Sequence, residues 1–279
     1  MNSPKNISAS VRARLLNIAR DRGADYNLIL SKYAMERLLY RLSISHWAES
    51  FLLKGALLFD IWFDQPHRPT RDIDLLGFGS SELADVIAIF REVCTIAYED
   101  GMMFNPRTVQ ASEIRKEANY AGVRVTLLGK LDGARCSVQI DVGYGDTVTP
   151  APEQINYPVL LDDMDAPVLR SYPSYTVVAE KYQAMVSLGM VNTRLKDYFD
   201  LWVLRKSLKF DEWILREAIS ATFARRGTSL PENLPMGLSD GFAQDAAKAR
   251  QWSAFVNKNK FDAPTLEVVV AELRSWLWG

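Results

Sequence analysis

The feature that most constrains this chain is a change in apolar spacing near residue 170. Before it, helical and strand periodicities alternate; after it, helical spacing alone remains. Apolar residues at i, i+3 and i+4 share one face of a helix, and apolar residues at every second position share one face of a strand. Helices are predicted at Ser8–Arg22, with Val11, Leu15 and Ile18 on one stripe and Ser8 or Ser10 as cap, at Tyr26–Leu42, at Ala56–Phe63 and at Ser81–Ala97. Strands are predicted at Phe51–Leu53, Asp72–Gly77, Thr108–Ile114, Val123–Leu128, Cys136–Val142 and Asn156–Leu161, with a hairpin turn in Gly129–Gly133. Five further helices are expected at Ser174–Leu188, Lys196–Leu208, Asp211–Arg225, Asp240–Val256 and Pro264–Leu277. The fold class is therefore α+β. Residues 1–170 read as a mixed α/β domain with N-terminal helices and 171–279 as a helical domain, with Pro167 and Pro173 near the boundary.

With 279 residues the chain can bury a core without disulfides or a structural metal. Its 33 basic and 34 acidic residues exclude nucleic-acid binding by bulk positive charge, though not by a local basic patch. Cys94 and Cys136 form no CxxC pair, and the first twenty residues hold no apolar stretch, so a reducing cytoplasm is expected and a secretory signal is not. No run approaches 18 apolar residues, so no membrane span is expected. The chain lacks GxxxxGK[ST], GxGxxG, HExxH and GxSxG motifs. With only His46 and His67 and no cysteine cluster, a zinc site is not expected, and His67 reads as a loop residue.

Four stretches carry residues suited to chemistry. In Arg68-Pro69-Thr70-Arg71-Asp72-Ile73-Asp74, strand alternation puts Asp72 and Asp74 on one face. Paired carboxylates repel unless a cation lies between them, and oxygen-only ligands suit Mg²⁺. A solvated acidic strand edge is the plainer account. In Val138-Gln139-Ile140-Asp141-Val142, Asp141 is the polar exception in an apolar strand; beside the first strand it would add a third carboxylate, and on a one-sided sheet it would simply face water. Lys181 follows Glu180 in a helix that Ser174 could cap, within reach of a triphosphate or in a surface ion pair with Glu180. In Arg194-Leu195-Lys196-Asp197-Tyr198-Phe199-Asp200, the two acids share a helix face, which the helix dipole alone would also favour near an N-terminus.

Taken in order, these stretches resemble the AbiEii/AbiGii-type toxins of type IV toxin–antitoxin systems, a branch of the nucleotidyltransferase superfamily. The resemblance rests on Leu53-Lys54-Gly55-Ala56, Arg68-x-Thr70-x-Asp72-Ile73-Asp74-Leu75, Ile140-Asp141-Val142, Tyr172-Pro173 through Ala179-Glu180-Lys181, and Arg194-x-Lys196-Asp197-x-x-Asp200-Leu201, over residues 35–205. The wider superfamily carries Gly-Ser or Gly-Gly where this chain has Gly55-Ala56, which removes a hydroxyl but keeps the backbone N–H.

The resemblance implies a nucleotidyltransferase-like mixed sheet flanked by helices, followed by a helical domain that completes the active-site cleft. It implies an NTP substrate and Mg²⁺ held by Asp72 and Asp74, with Asp141 as third carboxylate for a second ion or for the proton of the attacking hydroxyl. It implies nucleotide contacts from Lys54, Gly55, Ala56, Arg68, Thr70, Lys181, Arg194 and Asp200, and catalytic support from Lys181 and Asp197. Arg68 and Arg71 are candidates for phosphate or acceptor. The implied acceptor is the 3′ end of tRNA, which would block translation, and the implied partner is a cognate antitoxin. Arg225, Arg226, Lys248, Arg250, Lys258 and Lys260 are candidates for a basic RNA surface or for an ordinary solvated face. Two alternatives remain: transfer to a protein or a small molecule such as an antibiotic, and a non-catalytic nucleotide-binding module.

Overall fold

The computed structural model describes residues 6–63, 70–116 and 120–278. The helices are α1 (Ile7–Asp21), α2 (Tyr26–Ser43), α3 (Phe59–Trp62), α4 (Leu83–Thr95), α5 (Ser174–Leu188), α6 (Leu195–Ser207), α7 (Glu212–Arg225), α8 (Asp240–Ala243), α9 (Ala246–Asn259) and α10 (Leu266–Leu277). The strands are β1 (Phe51–Lys54), β2 (Asp72–Gly77), β3 (Met102–Lys116), β4 (Tyr120–Leu131), β5 (Ala134–Tyr144), β6 (Glu153–Asn156) and β7 (Val168–Ser171). The chain divides into two compact units: residues 1–145 with 153–171, and residues 146–152 with 172–279.

The first unit is built on one mixed sheet of order β3-β4-β5-β2-β1-β7-β6. β2 runs parallel to β5 and antiparallel to β1, and β4 is antiparallel to both β3 and β5. The registers align apolar rows across the sheet, such as Leu53, Leu75, Val142 and Val123, all at most 2% exposed. α2 packs against β5, and α4 packs against β3 and β4. Polar residues alternate with the apolar ones, so the opposite face of β2 and β5 carries Asp72, Asp74, Gln139 and Asp141.

The turn between β4 and β5 is the two-residue Asp132-Gly133, with φ of 43° and 82°, as a tight hairpin requires. β4 therefore runs through Gly129–Leu131, part of the segment expected to turn. β3 begins at Met102 rather than Thr108, and its pairing shifts register between Asn105 and Gln110, a stretch that holds Pro106. The expected strand at Asn156–Leu161 lies earlier, at Glu153–Asn156: Pro158 has no N–H to donate to a ladder, and Tyr157, Leu160 and Leu161 are buried without strand structure. β7 was not expected. α1 is capped by Asn6, whose side chain accepts from Ala9 N, and not by Ser8 or Ser10.

The second unit holds α5 to α10. Pro173, and not Ser174, precedes α5 as its N-cap residue, without a side-chain capping bond. The single helix expected at Asp240–Val256 is two, because Asp245 leaves helical geometry and its carboxylate accepts from Ala247 N and Lys248 N to start α9. An aromatic cluster fills the unit: Phe199 stacks on Phe261 at 4.4 Å, and Tyr198 stacks on Phe242 at 5.1 Å. Among the described residues no helix is long and apolar enough to cross a membrane.

Candidate active site

On the first unit the acids form a row. Alternation along β2 sends Asp72 and Asp74 to one face, and the parallel register places Asp72 beside Gln139 and Asp74 beside Asp141. Asp72 and Asp74 are half-buried, whereas Asp141 is 6% exposed. Thr70 Oγ1 donates to Asp72 Oδ1 at 2.6 Å and fixes that carboxylate.

On the other side of β2, Lys54 ends β1 opposite Asp74 and is 7% exposed. Gly55 follows with φ of +74°, a backbone shape that L side chains rarely adopt. A Cβ built there would lie 2.1 Å from Asp74 Oδ2, so the chain passes the carboxylate with no room for a side chain. Ala56, 8% exposed, continues this 3₁₀ turn. Arg68 and His67 lie outside the described residues.

Asp141 has a partner that sequence reasoning missed. Arg124 is its register neighbour on β4; its Nε donates to Asp141 Oδ1 at 2.8 Å and its Nη2 to Oδ2 at 2.7 Å. This is a two-pronged arginine–carboxylate pair. The pair holds the guanidinium pKa above its ordinary value, with Asp72 and Asp74 adding to the effect. Among the described residues no set of three His, Cys, Asp or Glu side chains is arranged to hold a metal ion. Asp72 and Asp74, oxygen donors on one face and both half-buried, fit a hard divalent cation.

Arg71 lines a neighbouring cleft of about 650 Å³ together with Arg135, Ser137 and Gln139, and with Asp25 and Asn27 at the start of α2. Because Gln139 is the register neighbour of Asp72, this cleft adjoins the acidic row.

The second unit gathers the other expected residues. Lys181 Nζ, on α5, donates to Asp197 Oδ1 at 2.6 Å and to Asp200 Oδ2 at 2.8 Å, both on α6. The acids are at most 1% exposed, so the helix-face spacing serves a buried ion cluster, not a solvated helix start. Arg194 Nε reaches Asp197 Oδ2 at 2.7 Å, while its side chain stays about half exposed. Asn192 Oδ1 accepts from Arg194 N at 2.8 Å and so shapes the entry to α6.

Glu180, expected beside Lys181 in a surface pair, lies in a second network. It faces Arg226 at 3.2 Å, and Arg226 also donates to Asp146 and, through Nη1, to Gln183. Two residues expected on a basic surface are thereby withdrawn from it: Arg226 sits in this network, and Lys248 is 7% exposed with Nζ on Asn192 O at 2.6 Å.

The family model described as "Nucleotidyl transferase AbiEii toxin, Type IV TA system" matches residues 37–277. A crystal structure of a presumed nucleotidyltransferase from H. pylori is similar in fold, with a TM-score of 0.50 at 15% identity over 89% of this chain and 92% of that one. The crystal structure of JHP933 from Helicobacter pylori gives a TM-score of 0.48 at 12% identity over 91% and 94%. No curated protein matches. With its mixed sheet, its acid pair on β2 and a family match over most of its length, the chain belongs to the AbiEii nucleotidyltransferase toxin family of type IV toxin–antitoxin systems.

Proposed function

We propose that this chain transfers a nucleoside monophosphate from an NTP to the 3′ end of an RNA, a tRNA, and so stops translation and growth. The observation that carries this reading is the approach of the Gly55 backbone to Asp74, beside Asp72 on the same strand face. A bare backbone against paired carboxylates makes room for phosphate oxygens and the cation they bring.

Asp72 and Asp74 would hold Mg²⁺, which when bound neutralises the triphosphate and orients its α-phosphorus. Thr70 keeps Asp72 aimed, and Lys54 and the backbone at Gly55 and Ala56 line the phosphates. On the second unit Lys181, held by Asp197 and Asp200 and with Arg194 on the same Asp197, is the candidate for phosphate charge. Asp141 is the third carboxylate, for a second ion or for the proton of the attacking hydroxyl. The acceptor oxygen bonds to the α-phosphorus as the bond to the β-phosphate oxygen breaks, and pyrophosphate leaves. Positioning and charge neutralisation supply most of the acceleration. Arg71 and Arg135 in one cleft beside the acids support a polyanionic acceptor. The family implies a cognate antitoxin, and the two cysteines, both free and buried, suit a reducing cytoplasm.

The test is to incubate the protein with α-labelled NTPs, Mg²⁺ and total RNA. Label entering RNA is the expected result. Label entering protein or a small molecule overturns the RNA acceptor. Absence of transfer by both wild type and Asp74→Ala overturns nucleotidyl transfer.

A further inference from the structure

One charge pair on the acidic face uses a residue outside the motifs that carry the family resemblance. Asp141 is almost fully buried and gives both carboxylate oxygens to Arg124. In sites with two divalent ions, about 3.5–4 Å apart, carboxylates share the ions between them. Here the oxygens that a second ion would need already face a guanidinium, whose planar fork matches a carboxylate and which stays charged at every accessible pH.

The registers say where that charge lies. Arg124 is opposite Asp141 on β4 and β5, and Asp141 is opposite Asp74 on β5 and β2, so the three side chains share one face of three adjacent strands. Gln139 supports the fork from the same strand as Asp141: with its amide oxygen turned toward Arg124, it accepts from Nε at 3.2 Å and from Nη2 at 3.3 Å. Nη1 makes no hydrogen bond among the described residues, and the Arg124 side chain is 42% exposed, so a ligand can reach it.

We propose that Arg124 holds, with its guanidinium, the place of a second divalent ion beside Asp141, so that this face binds one ion, on Asp72 and Asp74, and offers Nη1 to the triphosphate. The inference rests on the proposed nucleotidyl transfer and chooses between the two roles left to Asp141. Removing Arg124 leaves Asp141 buried beside Asp74 without the guanidinium that both of its oxygens face, an arrangement that draws in a cation.

The experiment counts Mn²⁺ bound per chain by electron paramagnetic resonance, with the metal alone and with Asp72→Asn/Asp74→Asn as background. Wild type is expected to bind one ion, Arg124→Gln two, and Arg124→Gln/Asp141→Asn one again. Arg124→Lys, which keeps the charge, is expected to bind one. Two ions on wild type, or one on a folded Arg124→Gln, overturn the inference. The wild-type count decides the matter if Arg124→Gln does not fold. Two ions on a wild type that still labels RNA overturn the inference alone; a wild type that binds no ion above background overturns it together with the proposed role of Asp72 and Asp74.

Discussion

Gly55 and Asp74 stand so close that a methyl group on residue 55 would lie 2.1 Å from the Asp74 carboxylate. The glycine also needs its positive φ of +74°. Gly55→Ala therefore meets strain and a clash together, which cost roughly 1–3 kcal/mol for the backbone alone. Transfer is expected to fall at least about 100-fold, because a displacement near 1 Å at reacting groups costs that much. The measurement pairs single-turnover transfer with thermal unfolding. An alanine variant with wild-type transfer would show that the close approach has no bearing on the nucleotide.

Lys181 holds two acids that have almost no contact with water. Removing one partner of such a cluster typically costs about 3–5 kcal/mol, mostly from the stranded charge. Lys181→Met is expected to destabilise the protein by about that amount. Lys181→Met/Asp200→Asn is expected to recover at least about 1 kcal/mol relative to the sum of the single changes, since neighbours in one network are not additive. Denaturant midpoints of the four proteins give the coupling. A Lys181→Met variant within about 0.5 kcal/mol of wild type would return this lysine to the surface.

Glu36, on α2, is fully buried; it pairs with Arg37 at 2.8 Å and accepts from Leu160 N at 2.7 Å. Burial, only partly offset by these contacts, pushes its pKa from an ordinary 4.5 up to about 7. Between those values the folded chain binds more protons at this site than the unfolded chain, so stability falls as pH rises from about 4.5 to about 7 and is level above. The loss is of the order of 3 kcal/mol. Glu36→Gln, which keeps an acceptor for Leu160 N, is expected to remove this slope. The difference in unfolding free energy between variant and wild type should grow by kilocalories from pH 5 to pH 8. A constant difference would show that Glu36 is ionised throughout.

Much of the geometry around the acids was legible because period-two alternation is a strong constraint. It put Asp72 with Asp74 on one face and marked Asp141 as the odd residue of an apolar strand, and three-residue spacing put Asp197 with Asp200. Arg124 was not found, because Val123-Arg124-Val125 reads as any half-exposed strand. A signal for it existed: a two-residue turn at Asp132-Gly133 pairs Leu131 with Ala134 and, counting back, Arg124 with Asp141. Spreading the turn over five residues hid that register. Lys248 was misplaced for a different reason. A lysine in a helix reads as exposed, and the carbonyl of Asn192 that receives it lies 56 residues away in sequence.

Asp74 supplies the last prediction. Asp74→Asn keeps the shape beside Gly55 but removes the charge, replaces one oxygen by an amide nitrogen and abolishes half of the oxygen pair offered to a cation. Fold and solubility are expected to hold, since the residue is only half-buried. If toxicity runs through nucleotide transfer, inducing wild type should arrest growth and inducing Asp74→Asn to equal soluble levels should not, with newly labelled RNA ends present in the first culture alone. The variant isolates the chemistry because it leaves untouched Arg71, Arg135 and every other surface that could hold a partner. Growth arrest persisting with Asp74→Asn, at matched protein, would place the toxic effect in binding and not in transfer.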